Sequence, residues 1–200
     1  MIRRTLAAAV AAATVIAACG GDDPQLTGYE RDPAPEVGDI TMPNLTEGGG
    51  DFAFRADDGE LLVVYFGYLN CPDYCPTTMS DLKLARNRLD DDLAERVDVA
   101  MVTVDPDRDL DSLPDYVEGF FPDGIALGSE DDADLERAAA PFGVAYAIEL
   151  DEDGEPLVGH TTSLYAVDDR GVLVLTWPFG VEIDQLATDL EILLDRTGDA

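Results

Sequence analysis

Two cysteines, Cys71 and Cys75, and one histidine, His160, are the side chains of this sequence best suited to chemistry. The two cysteines are four positions apart, at a turn between a strand-like apolar stretch and a helical pattern. Thiols in such a turn can exchange electrons as a disulfide or bind a soft metal ion. Because the chain contains a single histidine, His160 is the natural third partner of the two thiols.

The spacing of the cysteines narrows this chemistry. The motif is Cys-x-x-x-Cys, which is one residue longer than the Cys-x-x-C pattern of thioredoxin-type redox sites. The predicted helix N-terminus beside Cys71 and Cys75 favours their thiolates. Two thiolates with an imidazole suit copper(I), whereas a structural zinc site usually has four protein ligands. A redox pair and a structural disulfide in an exported protein remain open as alternatives.

Two further residues are candidates by position. His160 follows Gly159 and precedes a predicted hairpin, although a single histidine is also compatible with an ordinary core or surface position. Asp105 ends a strongly apolar predicted strand and is followed by Pro106. It either caps the next helix or places a carboxylate near the thiols, where it would orient a ligand or Arg108.

The charge balance excludes one class of function. The chain carries 43 acidic and 12 basic residues, with a net charge of −31. Such a surface repels nucleic acid, so nucleic-acid binding is excluded. The acidic residues are spread along the whole chain, which is typical of a solvated acidic surface.

The N-terminus has the pattern of a bacterial lipoprotein. Residues 1–18 contain Arg3 and Arg4 followed by an apolar stretch, and they end in Ile-Ala-Ala before Cys19. This pattern predicts a signal peptide over residues 1–18 and lipid attachment at Cys19, with an ordinary secretion signal as the alternative. Residues 19–38 are rich in Gly, Pro and Asp, and we expect a flexible tether there. The mature protein would then lie on the outer face of the cytoplasmic membrane, in a compartment that permits disulfides.

Hydrophobic periodicity predicts one α/β domain over residues 39–197. We expect an N-terminal hairpin over 40–54, buried strands over 61–66 and 97–104, a short strand over 125–127 and an extended segment over 144–150. We expect a second hairpin from strands 163–167 and 172–177. Helices are predicted from Pro76 to about Leu93, after Asp105-Pro106, over 134–142 and over 183–194. This order indicates a thioredoxin-like fold, with a central mixed sheet flanked by helices and the cysteines at the carboxyl end of a central strand.

The chain resembles the SCO/SenC family of copper proteins. The resemblance rests on Tyr-Phe-Gly-Tyr before Cys-Pro-Asp-Tyr-Cys-Pro, on Val-Asp-Pro-Asp-Arg-Asp from Val104, and on Gly-His-Thr before a hairpin. It implies a thioredoxin-like fold with an inserted hairpin, and one copper ion, as copper(I) and also copper(II), bound by Cys71, Cys75 and His160. It places Asp105 at the first aspartate of the Asp-Pro-x-Arg-Asp segment of the family. Asn70 stands where the family typically has a histidine.

The resemblance also implies a role in building the dinuclear copper centre of cytochrome c oxidase subunit II. The protein would act as a metallochaperone that transfers copper, or as a thiol-disulfide oxidoreductase whose Cys71 and Cys75 reduce the cysteines of that centre. Both mechanisms need reduced thiols, and His160 favours the copper role because simple exchange does not require it. A peroxidase-like or redox-signalling protein and a non-catalytic lipoprotein module are the other hypotheses. The upstream copper donor does not follow from the sequence.

Overall fold

The computed structural model describes residues 25–46 and 49–197. In these ranges the strands are β1 (Thr41–Pro43), β2 (Asp51–Ala53), β3 (Leu61–Gly67), β4 (Val97–Thr103), β5 (Ile125–Leu127), β6 (Tyr146–Leu150), β7 (Pro156–His160), β8 (Leu164–Asp168) and β9 (Leu173–Trp177). The helices are α1 (Tyr74–Arg86), α2 (Asp91–Ala94), α3 (Pro106–Asp109), α4 (Leu113–Phe120), α5 (Asp132–Phe142) and α6 (Ile183–Thr197).

The centre of the fold is a five-stranded mixed sheet in the order β5-β4-β3-β8-β9. Strand β3 runs parallel to β4 and antiparallel to β8. Every residue of β3 is buried, which is typical of a central strand covered on both faces and explains its continuous apolar sequence. The predicted thioredoxin-like α/β fold with a central mixed sheet is confirmed.

Three hairpins accompany the helices in the described part of the chain. The N-terminal pair β1–β2 and the β8–β9 pair lie where the sequence predicts them. The turn between β8 and β9 contains Gly171 at φ 76°, a left-handed conformation that glycine adopts without steric cost. The pair β6–β7 forms a separate two-stranded sheet. Only the first strand of this pair is predicted from the sequence, and in the structure His160 is the last residue of β7.

Two predicted helices are divided in the structure. The first ends at Arg86 and is followed by the short helix α2, although apolar residues continue to Leu93. Asp90 is extended, with φ −62° and ψ 149°, and it separates the two helices. The helix expected after Asp105 is likewise divided into α3 and α4, and Pro114 lies in the first turn of α4. The periodicity therefore identified the buried faces but not the breaks.

Part of the segment predicted as a tether is packed on the domain. Val37 is fully buried, and Tyr29 exchanges backbone hydrogen bonds with Thr176 in β9. The carboxylate of Asp189 in α6, itself buried, accepts the backbone N–H groups of Thr27 and Gly28. The packed chain thus begins before residue 39, because a buried carboxylate and an open edge of β9 both need donors or acceptors from this segment.

The predicted signal peptide and Cys19 lie outside the described residues. Within the described ranges, no helix is both long and apolar enough to cross a membrane.

Candidate metal centre

The cysteines lie where β3 turns into α1. Cys71 is in the turn, and Cys75 is in the first turn of the helix. Gly67, the last residue of β3, makes this approach possible: a Cβ atom there would lie 2.6 Å from Cε1 of Tyr65 and 3.1 Å from Sγ of Cys75. The absence of a side chain at Gly67 therefore lets the helix bring Cys75 against the end of the strand.

The two thiols have different environments. The backbone N–H of Cys75 donates to Sγ of Cys71 at 3.3 Å. Burial alone would raise the pKa of the Cys71 thiol, but the N–H groups at the start of α1 outweigh it and lower this pKa. Cys75 is fully buried, and its burial raises the pKa of its thiol to about 12. Cys71 is thus the more acidic thiol of the pair, and Cys75 keeps its proton until something displaces it.

His160 completes the site from the base of the β6–β7 hairpin. Its Nε2 atom lies 3.6 Å from Sγ of Cys75, and its Nδ1 lies 2.9 Å from the carbonyl oxygen of Thr161. Because a carbonyl only accepts, Nδ1 carries the proton and the lone pair of Nε2 faces the thiols. Burial lowers the pKa of the imidazole. The rings of Tyr65 and Tyr68 pack edge-on against the imidazole. The imidazole is therefore neutral because of its lowered pKa, and the two tyrosine rings shield it.

The geometry of the three residues fits a metal ion. One ligand atom from each of Cys71, Cys75 and His160 lies within 4.8 Å of the other two. Metal–ligand distances of about 2.0 to 2.3 Å require only a small contraction of this triangle. Two sulfur atoms and one imidazole nitrogen suit copper(I) better than structural zinc. The structure brings together the three residues that the sequence predicted as ligands.

Asp105 is buried, and its carboxylate contacts Arg108. Its Oδ2 accepts from Nε of Arg108 at 2.5 Å, and the two side chains form an ion pair. Of the two roles considered for this carboxylate, orienting Arg108 is the one that these contacts describe. The backbone N–H of Asp105 donates to Oγ1 of Thr103 at 3.0 Å, which fixes the end of β4.

A second buried carboxylate, Asp109, was not singled out from the sequence. It is fully buried, and its Oδ2 accepts from the backbone N–H of Leu69 at 3.1 Å and from Oγ1 of Thr103 at 2.6 Å. Burial raises the pKa of this carboxyl group, and the two hydrogen bonds oppose the rise. The available signal was a third aspartate in the segment Asp-Pro-Asp-Arg-Asp, but a charged residue in a polar segment is normally exposed.

Comparison with known proteins identifies relatives of this chain. The family model described as SCO1/SenC matches residues 44–195. The mitochondrial SCO1 homolog 1 of Arabidopsis thaliana is 28% identical over 150 residues, which are 69% of this chain and 44% of that protein. The chain spans about half the length of the curated relatives it matches.

Solved structures agree with the sequence comparison. The solution structure of apo Sco1 from Thermus thermophilus has a TM-score of 0.73 and 31% identity, and it covers 86% of this chain and 99% of its own. The crystal structure of Arabidopsis thaliana ScoI with copper bound has a TM-score of 0.67 and 24% identity, and it covers 80% of this chain and 98% of its own. The second likeness is evidence of a shared fold.

Proposed function

This chain belongs to the SCO1/SenC family, and from that premise we propose that it binds one copper ion through Cys71, Cys75 and His160 and transfers it during assembly of cytochrome c oxidase. The observation that carries the proposal is the triangle of two sulfur atoms and one nitrogen within 4.8 Å. The copper-bound Arabidopsis neighbour has the same fold, and a protein of the Sco family is described as belonging to the cytochrome c oxidase assembly proteins.

The three ligand residues differ in how readily they can bind copper. Cys71, whose pKa is lowered, gives up its proton more readily than Cys75. Cys75 loses its proton when copper arrives, because binding requires the thiolate. His160 is already neutral and oriented by Thr161. Copper is the cargo, and a partner that offers thiolate ligands would take it by ligand exchange from the half-buried His160 side, since Cys75 itself is fully buried.

The finer parts of the proposal concern partner and place. We assign the dinuclear copper centre of cytochrome c oxidase subunit II as the recipient, as the family resemblance implies. We assign the outer face of the cytoplasmic membrane as the location, with lipid on Cys19. Growth in labelled palmitate tests the anchor: Cys19→Ser should lose both the label and membrane sedimentation, and a variant that keeps both would contradict the assignment.

Thiol-disulfide exchange is the second candidate, and the unequal thiols favour it. The Cys71 thiolate would attack a disulfide of the target, forming a mixed disulfide and releasing one target thiolate. Cys75 would then lose its proton to the first target thiolate and attack Sγ of Cys71, forming the Cys71–Cys75 disulfide and releasing the second target thiolate. The target gains two electrons and this protein loses two.

Anaerobic copper(I) titration of the reduced protein against a competing chelator tests the copper role. We expect one copper per chain, and a loss of tenfold or more in affinity, about 1.4 kcal/mol, for Cys71→Ser, Cys75→Ser and His160→Ala. Asn70→Ala is the control, because Asn70 is exposed and adjacent to Cys71, and its affinity should be unchanged. Weak binding that is indifferent to His160 would contradict the copper role and favour thiol exchange.

A further inference from the structure

Asp109 connects the cysteine turn to the end of the neighbouring strand. One oxygen, Oδ2, accepts both the backbone N–H of Leu69, two positions before Cys71, and the hydroxyl of Thr103 at the end of β4. Gly67 and Thr103 are partners in the parallel β3–β4 pair. The carboxylate therefore lies where the chain leaves β3 for the cysteine turn, and it binds the first residues of that turn to β4.

The bonds continue into the segment that follows β4. Oγ1 of Thr103 accepts from the backbone N–H of Asp105 while its hydroxyl proton goes to Asp109. Asp105 in turn holds Arg108. A continuous series of hydrogen bonds thus runs from the turn before Cys71, through Asp109 and Thr103, to the ion pair of Asp105 and Arg108.

The burial of the other carboxylate oxygen of Asp109 is energetically unfavourable. Oδ1 is buried without a hydrogen-bond partner among the described residues. A buried polar atom without a hydrogen-bond partner destabilises the folded state. A buried carboxylate of this kind is poorly explained by packing, since an apolar side chain would fill the same space without that cost. What distinguishes Asp109 is the hydrogen bond that its carboxylate accepts from Leu69, in the turn that carries Cys71.

We propose that Asp109 is a positioning residue that holds the turn before Cys71 and so sets the place of the Cys71 sulfur relative to Cys75 and His160. The inference rests on the proposed function of the site. Sγ of Cys71 accepts the N–H of Cys75, and this contact depends on the path of the chain between Leu69 and the start of α1. Without the hydrogen bond to Asp109, the turn adopts additional conformations. The three ligand atoms are then less often close enough together to bind one ion.

Asp109→Ala and Asp109→Asn test the role. Alanine removes both bonds, and we expect copper(I) affinity, measured anaerobically against a chelator, to fall tenfold or more. Asparagine keeps an oxygen acceptor of the same shape, so affinity should stay within threefold of the wild type. A second readout needs no copper: the equilibrium of the Cys71–Cys75 disulfide with glutathione should shift tenfold or more in Asp109→Ala, about 30 mV, and stay within threefold in Asp109→Asn.

Asp168→Ala is the matched control. Asp168 is also a buried aspartate that accepts backbone N–H groups, those of Arg170 and Val172. It pairs in register with Leu61, at the end of β3 opposite to the cysteines. Its removal should lower the free energy of unfolding without changing copper affinity or the glutathione equilibrium by more than threefold.

Each outcome decides the proposal. A folded Asp109→Ala protein that keeps both readouts within threefold overturns it, and so does an equal loss in Asp168→Ala. If Asp109→Ala does not fold, Thr103→Val breaks the same series of hydrogen bonds with a side chain of equal shape. We then expect copper affinity and the glutathione equilibrium to change at least threefold. Unchanged values overturn the proposal. If wild type binds no copper, the proposed function fails, while the glutathione equilibrium still decides the role of Asp109.

Discussion

The sulfur atom of Cys75 lies 3.6 Å from Nε2 of His160, although 85 positions of sequence separate the two residues. The contact joins the first turn of α1 to the end of β7. The N–H groups of α1 act on the other thiol, Cys71, while burial governs the pKa values of both Cys75 and His160. The site therefore combines one thiol of lowered pKa, one protonated thiol and one neutral imidazole.

Copper affinity should increase with pH. The pKa of Cys75 is raised to about 12, so copper must displace its proton at any pH near neutrality, and each pH unit adds at least tenfold in affinity between pH 6.5 and 8.5. The pKa of His160 is lowered from 6.5, so the imidazole is mainly neutral across this pH range. Competition titrations across the range measure the slope. His160→Ala should show the same slope at lower affinity, and a flat profile would contradict the protonated state of Cys75.

Gly67→Ala should disrupt the site through its backbone. The added Cβ would lie 2.6 Å from Cε1 of Tyr65 and 3.1 Å from Sγ of Cys75, so the helix must move away from the strand. We expect a loss of about 1 to 3 kcal/mol in the free energy of unfolding, as for overpacked cores, and copper affinity reduced tenfold or more. Gly159→Ala is the control: Gly159 adjoins His160, yet a Cβ there meets no atom within 4 Å. Equal effects of the two substitutions in urea denaturation and copper titration would argue against the steric explanation.

Asp189→Ala should detach the packed N-terminal segment. The carboxylate accepts the N–H groups of Thr27 and Gly28 and the indole N–H of Trp177, and its loss leaves buried donors unsatisfied. We expect about 2 to 4 kcal/mol less unfolding free energy. Trp177 is the only tryptophan, so its fluorescence reports the change directly during urea denaturation.

Asp184→Ala on the same helix provides the comparison. The side chain of Asp184 is 85% exposed, and its ion pair with Arg88 should contribute less than about 1 kcal/mol. An Asp189→Ala protein as stable as this control, with unchanged fluorescence, would show that the segment is held by other contacts.

The burial of Asp109 predicts a pH-dependent stability. The pKa of Asp109 in the folded protein is raised above 3.8. The contribution of its protonated carboxyl group to the free energy of unfolding is therefore fully present below pH 3.8 and is lost as pH rises through the folded pKa. Asp109→Asn does not titrate, so its unfolding free energy should improve relative to wild type as pH increases from 4 to 7. Urea denaturation at both values measures this difference. The exposed Asp111→Asn should show no such trend, and a constant difference for Asp109→Asn would contradict the raised pKa.

Local patterns were enough to predict most of the elements that carry the site. The apolar run of β3, the helix after the cysteines and the turn at Gly171 each follow from neighbouring residues, and the structure confirms them. Strand β7 was missed because its sequence, Pro-Leu-Val-Gly-His, contains proline and glycine and no clear alternation. The break after Arg86 was missed because the apolar period continues across it. These features depend on partners distant in sequence.

Residue type and spacing by themselves determined the thioredoxin-like plan, the thiol pair and the single histidine as candidate ligands. The spacing of Cys71 and Cys75 is a local property, so it could be interpreted without a fold. Only the tertiary structure decided that His160 faces Cys75, that Asp105 faces Arg108, and that Asp109 holds the turn before Cys71. Each of these contacts depends on how the ends of β3, β4 and β7 come together, and long-range packing sets that arrangement through the burial of groups far apart in the chain.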